Sequence, residues 1–319
     1  MKISGFSFGR NTSKLYYPIK ESILSILPIC DEFIFVLGKG DDDDNTLEIL
    51  ESIESPKLKI VHSEWDTEKY PNGTENAHQT DIAMSHCSGD WLFYVQADEV
   101  VHEKYLPHIK QRCEELLGNE QVEGLLFKYR HFFGDYEHYI DHHGWYQNEI
   151  RIVRNKPDIH SFESAQSFRR IPNFDGKSYR EYEGTHRLHV APLEAYIYHY
   201  GWVRPPKYMQ SKKKALDSIH KGDAKANDMY KNSVADFDYG PLKDLPRFTD
   251  THPAVMTEKM ADFNWGDTLN YTSNKKPNRP LFKHEKPKYK VVSWMERNFN
   301  GGKHFFPFKN WILLDINSK

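Results

Sequence analysis

The sequence predicts an α/β protein: a mostly parallel, twisted sheet flanked by helices, followed by a mainly helical or irregular C-terminal extension. Three observations carry this. Over the first 120 residues, apolar runs of strand length alternate with helix-spaced segments, the order that builds a parallel sheet with helices on both faces. The runs are apolar throughout rather than alternating, as expected of strands buried on both faces. After Glu120 the alternation gives way to long connections rich in His, Tyr and Arg, and Pro205-Pro206 then breaks the chain.

Taken in order, Ile3 to Phe8 reads as the first strand. Leu15 to Leu27 has helical spacing through Leu15, Ile19, Ile23, Ile26 and Leu27. Phe33 to Leu37 is a second buried strand. Thr46 to Ile53 is a helix capped by Asp44 or Asn45. Leu58 to His62 is a short strand, Thr74 to His86 a helix, Trp91 to Val95 the fourth strand and His102 to Leu117 a further helix. Gly124 to Phe133, Glu149 to Val153 and Tyr196 to Tyr200 follow as strands, and Lys207 to His220 as a helix. Asp236 to Pro253, rich in Pro and Asp, is expected to be an ordered surface loop.

With 319 residues the chain can bury a full core. Its mean hydropathy is −0.76, and no run approaches the roughly 18 apolar residues of a membrane span, so a soluble protein is expected. The first residues, Met1 to Asn11, lack an apolar stretch of signal-peptide length. Cys30, Cys87 and Cys113 are few, odd in number and without metal-like spacing, which suggests reduced thiols in the cytoplasm. From Asn274 to Lys319 there are 11 Lys and Arg against 3 Asp and Glu, a local +8 in a chain of net charge −3, so the remainder carries −11. This basic tail also holds Phe282, Tyr289, Trp294, Phe299, Phe305, Phe306, Phe308 and Trp311. Basic plus aromatic suits an anionic membrane surface or lipid-linked substrate. The plainer expectation is a subdomain that packs its aromatics inward and solvates its lysines. The acidic body argues against nucleic acid as a partner.

The most informative stretch is Gly89 to Glu99. A buried strand leaves the core and meets Gln96, Asp98 and Glu99. In open α/β sheets, ligands bind beyond the carboxyl ends of the strands. Carboxylates there can hold a hard divalent cation and, through it, a diphosphate. Asp98 is the candidate ligand, and Glu99 fits a supporting or capping role near a helix N-terminus. A second cluster is Ile197 to Arg204, in which His199 is a candidate neutral ligand and Arg204 a bidentate phosphate binder. The run Asp41 to Asp44 reads as a solvated acidic loop, with Asp44 a cap or nucleotide neighbour. The many histidines between His131 and His199 are expected to hydrogen-bond or line a cleft. Trp145, Tyr146, Phe162, Phe168 and Trp202 suit either core packing or stacking on sugar faces.

Set in order, Arg10-Asn11, Asp31-Glu32, Asp44-Asn45-Thr46, Thr80-Asp81, Gly89-Asp90-Trp91 and Gln96-Ala97-Asp98-Glu99 resemble the motifs of the family 2 glycosyltransferases of the GT-A fold, of the bacterial surface-glycan type. The resemblance covers roughly residues 1–205. It implies a nucleotide-sugar-binding half over 1–120, an acceptor-side half completing the GT-A domain over 121–205, and an extension over 206–319. It implies donor contacts from Phe8, Arg10, Gly38, Asp44, Asp81, Gln96 and Arg204. It also implies a manganese or magnesium ion held by Asp98 and His199, the His that follows a late strand in that family. Gln96 stands where the metal motif's first acid is usual, Gly38 where an Asp commonly reads the base, and Asp81 in place of an Asn.

Inverting transfer needs a carboxylate to deprotonate the acceptor hydroxyl. Asp141, Glu149, Asp158 and Glu163 are the candidates; Glu163 lies about where the family places a His-Glu pair, and Glu149 is the second choice. The implied activity moves a sugar from a nucleoside-diphosphate-sugar to a glycan or lipid-linked hydroxyl, in the cytoplasm and in peripheral contact with the inner face of the membrane through the basic tail. Two alternatives are a nucleotidyltransferase, for which Phe6-Ser7-Phe8-Gly9-Arg10-Asn11 is poor in Gly and Arg, and a degenerate binding module.

Overall fold

The computed structural model describes residues 1–316. Its strands are β1 (Ile3–Gly9), β2 (Glu32–Gly38), β3 (Leu58–Ser63), β4 (Trp91–Tyr94), β5 (Glu99–Val101), β6 (Gly124–Phe133), β7 (Tyr139–Ile140), β8 (Asn148–Arg154), β9 (Ile159–Phe162), β10 (Ser167–Arg170), β11 (His186–Trp202) and β12 (Trp311–Leu313). The α-helices are α1 (Ile19–Ile26), α2 (Thr46–Glu51), α3 (Thr74–Ser85), α4 (Leu106–Leu116), α5 (Pro206–Lys221), α6 (Asp223–Tyr230), α7 (Thr257–Ala261) and α8 (Pro287–Phe299). The sheet runs β3-β2-β1-β4-β8-β6-β11-β10-β9. β3, β2, β1 and β4 are mutually parallel. β8 enters antiparallel to both β4 and β6, and β11 lies parallel to β6. This is the expected fold class.

The two faces of the parallel strands bury different residues because side chains alternate along a strand. Phe33, Phe35, Trp91 and Phe93 point toward α1 and α4, which supply Ile19, Ile23, Ile26 and Ile109. Phe6, Ile34, Val36, Leu92 and Tyr94 point the other way, toward Ala83 and Met84 of α3. Each large apolar side chain so buried contributes about 1.5–3 kcal/mol. The three cysteines are unpaired, and burial pushes all three thiols up, out of the reactive range.

Two helices are shorter than the periodicity predicts. Pro18 restricts Tyr17 to extended backbone, so residues 12–16 form a turn and α1 begins at Ile19. Residues 99–101, not read as a strand, form β5, paired antiparallel with β11; the helix expected from His102 opens instead with a single 3-10 turn, and α4 starts at Leu106 with Pro107 in its first turn. The basic tail is split. Trp311 is buried against β11 and Phe282 packs on Phe237. Trp294, Phe299, Phe306 and Phe308, by contrast, are 55%, 74%, 100% and 70% exposed. Inward packing therefore holds only for part of the tail. Among the described residues no helix is long and apolar enough to cross a membrane.

Residues 206–316 also cover the outer face of β6 and β11. Phe132, Phe133, Tyr198 and Tyr200 pack there with Phe237, Leu242, Met256 and Trp265. Without that cover, these strand aromatics would face water.

Candidate active site

A cavity of about 790 Å³ opens at the carboxyl edge of the parallel strands, where ligands of open α/β sheets bind. Its floor comes from the ends of β1 and β4: Phe8, Gly9 and Arg10, then Gln96, Ala97 and Asp98. One wall is α5, which contributes Met209, Lys212, Lys213 and Leu216. The sequence offered α5 only as part of an extension.

On one side lies an aromatic slot. The Phe8 and Trp65 rings sit 6.1 Å apart, and the Arg10 guanidinium lies 5.9 Å from the Trp65 ring centroid. Both Arg10 Nε and Trp65 Nε1 are buried donors without a protein partner. Gly38, at the end of β2, makes room for this indole: a Cβ there would lie 2.2 Å from Trp65 Nε1. Gly38 thus acts through Trp65 rather than lining the cavity itself. Asn11, at φ 56°, accepts a hydrogen bond from Asp41 N at 2.8 Å and ties the β2–α2 loop to the end of β1. Asp41 reaches the cavity. Asp44 does not; it accepts from Ser13 Oγ and Thr46 Oγ1 and holds the loop.

On the other side sit Asp98, His199 and Lys212. β11 runs beside both β6 and β5, so that His199 pairs in register with His131 and Glu99. His131 Nε2 lies 2.8 Å from the Tyr146 carbonyl oxygen, which can only accept, so this nitrogen carries the proton. Burial lowers the pKa of both rings, which favours their neutral forms. His131 Nδ1 is therefore an acceptor, and His199 Nδ1, 3.0 Å away, donates to it. The assigned tautomers leave a lone pair on His199 Nε2, 3.7 Å from Asp98 Oδ2. A lone pair facing a buried carboxylate calls for a cation, and one is present. Lys212 Nζ donates to Asp98 Oδ2 at 2.9 Å and to the Gly201 carbonyl at 2.7 Å. Burial alone would raise the Asp98 carboxyl, but the Lys212 charge and hydrogen bond, with His199 and Arg204, outweigh it and hold the group well below the usual range. Burial, with the nearby charge of Arg204, lowers Lys212 to about 8. Gly201 permits the close approach, since a Cβ there would lie 2.5 Å from His199 Nε2 and 2.7 Å from Asp98 Oδ2.

The structure brings Asp98 and His199 together, with a lysine ammonium on the carboxylate oxygen that faces His199, where a divalent ion was expected. The Lys212 ammonium holds the shared carboxylate oxygen, and among the described residues no group of three or more His, Cys, Asp or Glu side chains converges to hold a metal. Glu99 supports the site from beneath: fully buried, it takes a bidentate pair from Arg151 at 2.8 Å and a hydrogen bond from Tyr129 at 2.7 Å.

Several expected contacts are placed elsewhere. Arg204 is fully buried, donates to the Leu15 carbonyl at 2.6 Å and stacks behind Tyr17 at 4.6 Å. It adds positive field to the site without lining it. Asp81 accepts from His160 and from the Ser161 amide, both at 2.8 Å, and pins α3 to β9. Gln96 does line the cavity, its amide donating to the Ala165 carbonyl at 3.0 Å. Of the candidate bases, Asp141 pairs with Arg297 and Asp158 with Arg170. Glu163, at φ 58°, points to the Tyr182 hydroxyl and is not part of the cavity wall. Glu149 is buried on β8, two residues before cavity-lining Arg151 and on the same strand face. One of its oxygens has no partner, and burial pushes its pKa up to about 7. Among the aromatics, Tyr146 and Trp202 line the cavity, while Phe162 and Phe168 are core.

Trp65 and Lys212 escaped the sequence reading, and His131 was named only among the histidines expected to hydrogen-bond or line a cleft. Trp65 alone left a trace: a lone Trp just past the third strand, in a polar stretch that gave no packing reason for it.

Fold and site together define an α/β protein with a cation-bearing, aromatic-edged cavity at the carboxyl edge of its parallel strands. No family model and no curated protein matches the chain. Among solved structures it is similar to TarS of S. aureus, at 18% identity and a TM-score of 0.40 over 71% of this chain and 42% of that one. It is also similar to TarS 1-349 in complex with UDP-GlcNAc, at 18% and 0.37 over 73% and 74%. A third is glucosyl-3-phosphoglycerate synthase from Mycobacterium tuberculosis in complex with Mn2+, UDP and glucosyl-3-phosphoglycerate, at 19% and 0.29 over 42% and 45%. The chain spans less than half the length of the first. Similarities this distant carry no functional argument, which rests on the side chains described above.

Proposed function

We propose that this protein is a glycosyltransferase of the family 2, GT-A type. It moves a sugar from a nucleoside-diphosphate-sugar to a hydroxyl of a glycan or lipid-linked acceptor, with inversion. The observation that carries this reading is the arrangement of the cavity. An aromatic slot at Phe8 and Trp65, suited to a nucleobase, shares the strand edge with a buried Asp98–Lys212 ion pair whose ammonium is suited to a diphosphate.

Calorimetric titration with UDP, GDP, CDP, ADP and dTDP tests the reading directly. One of them is expected to bind, and Trp65→Ala to weaken it by roughly tenfold, the loss of one aromatic–base stack of about 1–3 kcal/mol. Binding of none would sink the proposal.

Glu149 is the better-suited acceptor base of the two candidates. With a pKa of about 7, its carboxylate form grows as the pH rises, so kcat/KM is expected to climb through pH 7. Glu149→Gln should abolish that limb and lower kcat by roughly 10²–10⁴. An unchanged pH profile in the variant would remove Glu149 from the role.

The exposed Trp294 and Phe299 of α8, whose rings are 5.6 Å apart, stand among Lys286, Lys288, Lys290 and Arg297. That combination supports peripheral contact with an anionic membrane at its cytoplasmic face, where a lipid-linked acceptor would lie. Cosedimentation with phosphatidylserine vesicles, but not with phosphatidylcholine alone, is expected. Replacing both rings with Ala should weaken it by at least roughly tenfold. Equal binding to both vesicles, or none, would refute the contact.

A further inference from the structure

Sugar transfer of the proposed kind breaks the bond between C1 and the diphosphate oxygen, whose electron pair leaves with the diphosphate. The acceptor oxygen bonds to C1, and its proton passes to a protein base. Positive charge is needed where the diphosphate departs, and three observations single out Lys212 as its source.

The first is position. Lys212 Nζ shares Asp98 Oδ2 and also holds the Gly201 carbonyl. An ammonium has three donors; two are engaged by protein, and the side chain lines the cavity, so the third remains for a ligand. The second is burial. On α5 only Met209 and Lys212 are buried, and a lysine is rarely placed there without a partner. The third is the counterpart: His199 Nε2 stands 3.7 Å from the same Asp98 Oδ2 that Lys212 holds, and the ring is held in place through His131, 3.0 Å from its Nδ1.

We propose that Lys212 is the resident cation of the Asp98–His199 site, that it neutralises the leaving diphosphate, and that donor binding runs without added divalent metal. This rests on the nucleotide-sugar reading above.

The test titrates the full chain, Lys212→Met and Lys212→Arg with the same five nucleoside diphosphates, in EDTA and in Mn2+. Mn2+ uptake without nucleotide is followed separately by the electron paramagnetic resonance signal of the free ion, and circular dichroism confirms folding. The wild-type chain is expected to bind its diphosphate equally in EDTA and in Mn2+, and to take up no Mn2+ alone. Lys212→Met should lose roughly 10- to 100-fold in EDTA, the worth of one charged hydrogen bond. It should take up Mn2+ at the freed Asp98–His199 pair and regain affinity in its presence. Lys212→Arg, which keeps the charge, should still bind in EDTA. Wild-type binding that requires Mn2+, or Mn2+ uptake by the wild-type chain itself, would overturn the proposal. If no diphosphate binds under either condition, the nucleotide-sugar reading falls, and the neutralising role with it. The Mn2+ signal still decides whether Lys212 holds the cation position.

Discussion

Asp98→Ala is expected to lower kcat by on the order of 10²–10³, the loss typical of removing one preorganised electrostatic group from a site. Asp98 fixes Lys212 at 2.9 Å and faces the His199 lone pair. Without it, only the Gly201 carbonyl holds the ammonium where the diphosphate departs. The fold should survive, because burial and Arg204 already lower Lys212 to about 8 and a freed lysine can shed its proton. The carboxyl's depressed pKa contributes stability above the ordinary aspartate value of 3.8; that contribution is lost as the pH falls below it. The variant should therefore differ from the parent in thermal stability chiefly near neutral pH. Initial rates beside melting curves check both points, and turnover at the parent rate would show that Asp98 lies outside the chemistry.

Arg151→Ala is expected to destabilise the protein by about 3–5 kcal/mol, the cost of leaving a buried charge without its partner. Glu99 and Arg151 are almost completely buried and joined by two hydrogen bonds of 2.8 Å. Arg151 also donates to the carbonyls of Ile150 and Gln166, so the truncation orphans three acceptor groups. At roughly 2–4 °C per kcal/mol for domains of this order, the melting temperature should drop by about 10 °C. Glu99→Gln, which keeps the shape and one acceptor, should cost less. A drop of only a degree or two in Arg151→Ala would mean that water reaches Glu99 and the pair is not sealed. Because Arg151 also lines the cavity, activity should fall even at temperatures where the variant is folded.

The strand–helix alternation of the first 120 residues was legible because each local burial pattern has its own period, and the structure keeps its elements nearly where they fall. The exceptions have local causes that periodicity does not register. Pro18 cuts the first helix short. Residues 99–101 become a strand only because β11 lies beside them to accept the pairing. The acidic strand end at Asp98 was legible for a related reason: a buried apolar run that stops in carboxylates has few uses besides a ligand.

The partners of that acid were less evenly visible. His199 could be named only through the resemblance, about a hundred residues away. Glu163 and Arg204 had the right chemistry in the right stretch, yet one turns toward Tyr182 and the other is sealed behind Tyr17. Asp81 is spent on His160. Which of several equivalent charges faces the cavity depends on strand register and helix rotation, and a one-residue change in either sends a side chain to the opposite face.

By itself, then, the sequence determined that this is an α/β protein whose first four strands are parallel, with an acid at the end of the fourth. Only the tertiary structure decided what answers that acid. The pairing of β11 with both β5 and β6 carries His199 to His131 and Asp98, and the packing of α5 across the strand ends delivers Lys212 to the same carboxylate. The physical reason is that composition and spacing report how much of a segment is buried, whereas the neighbours of a buried charge come from distant segments whose approach is fixed only when the whole sheet is assembled.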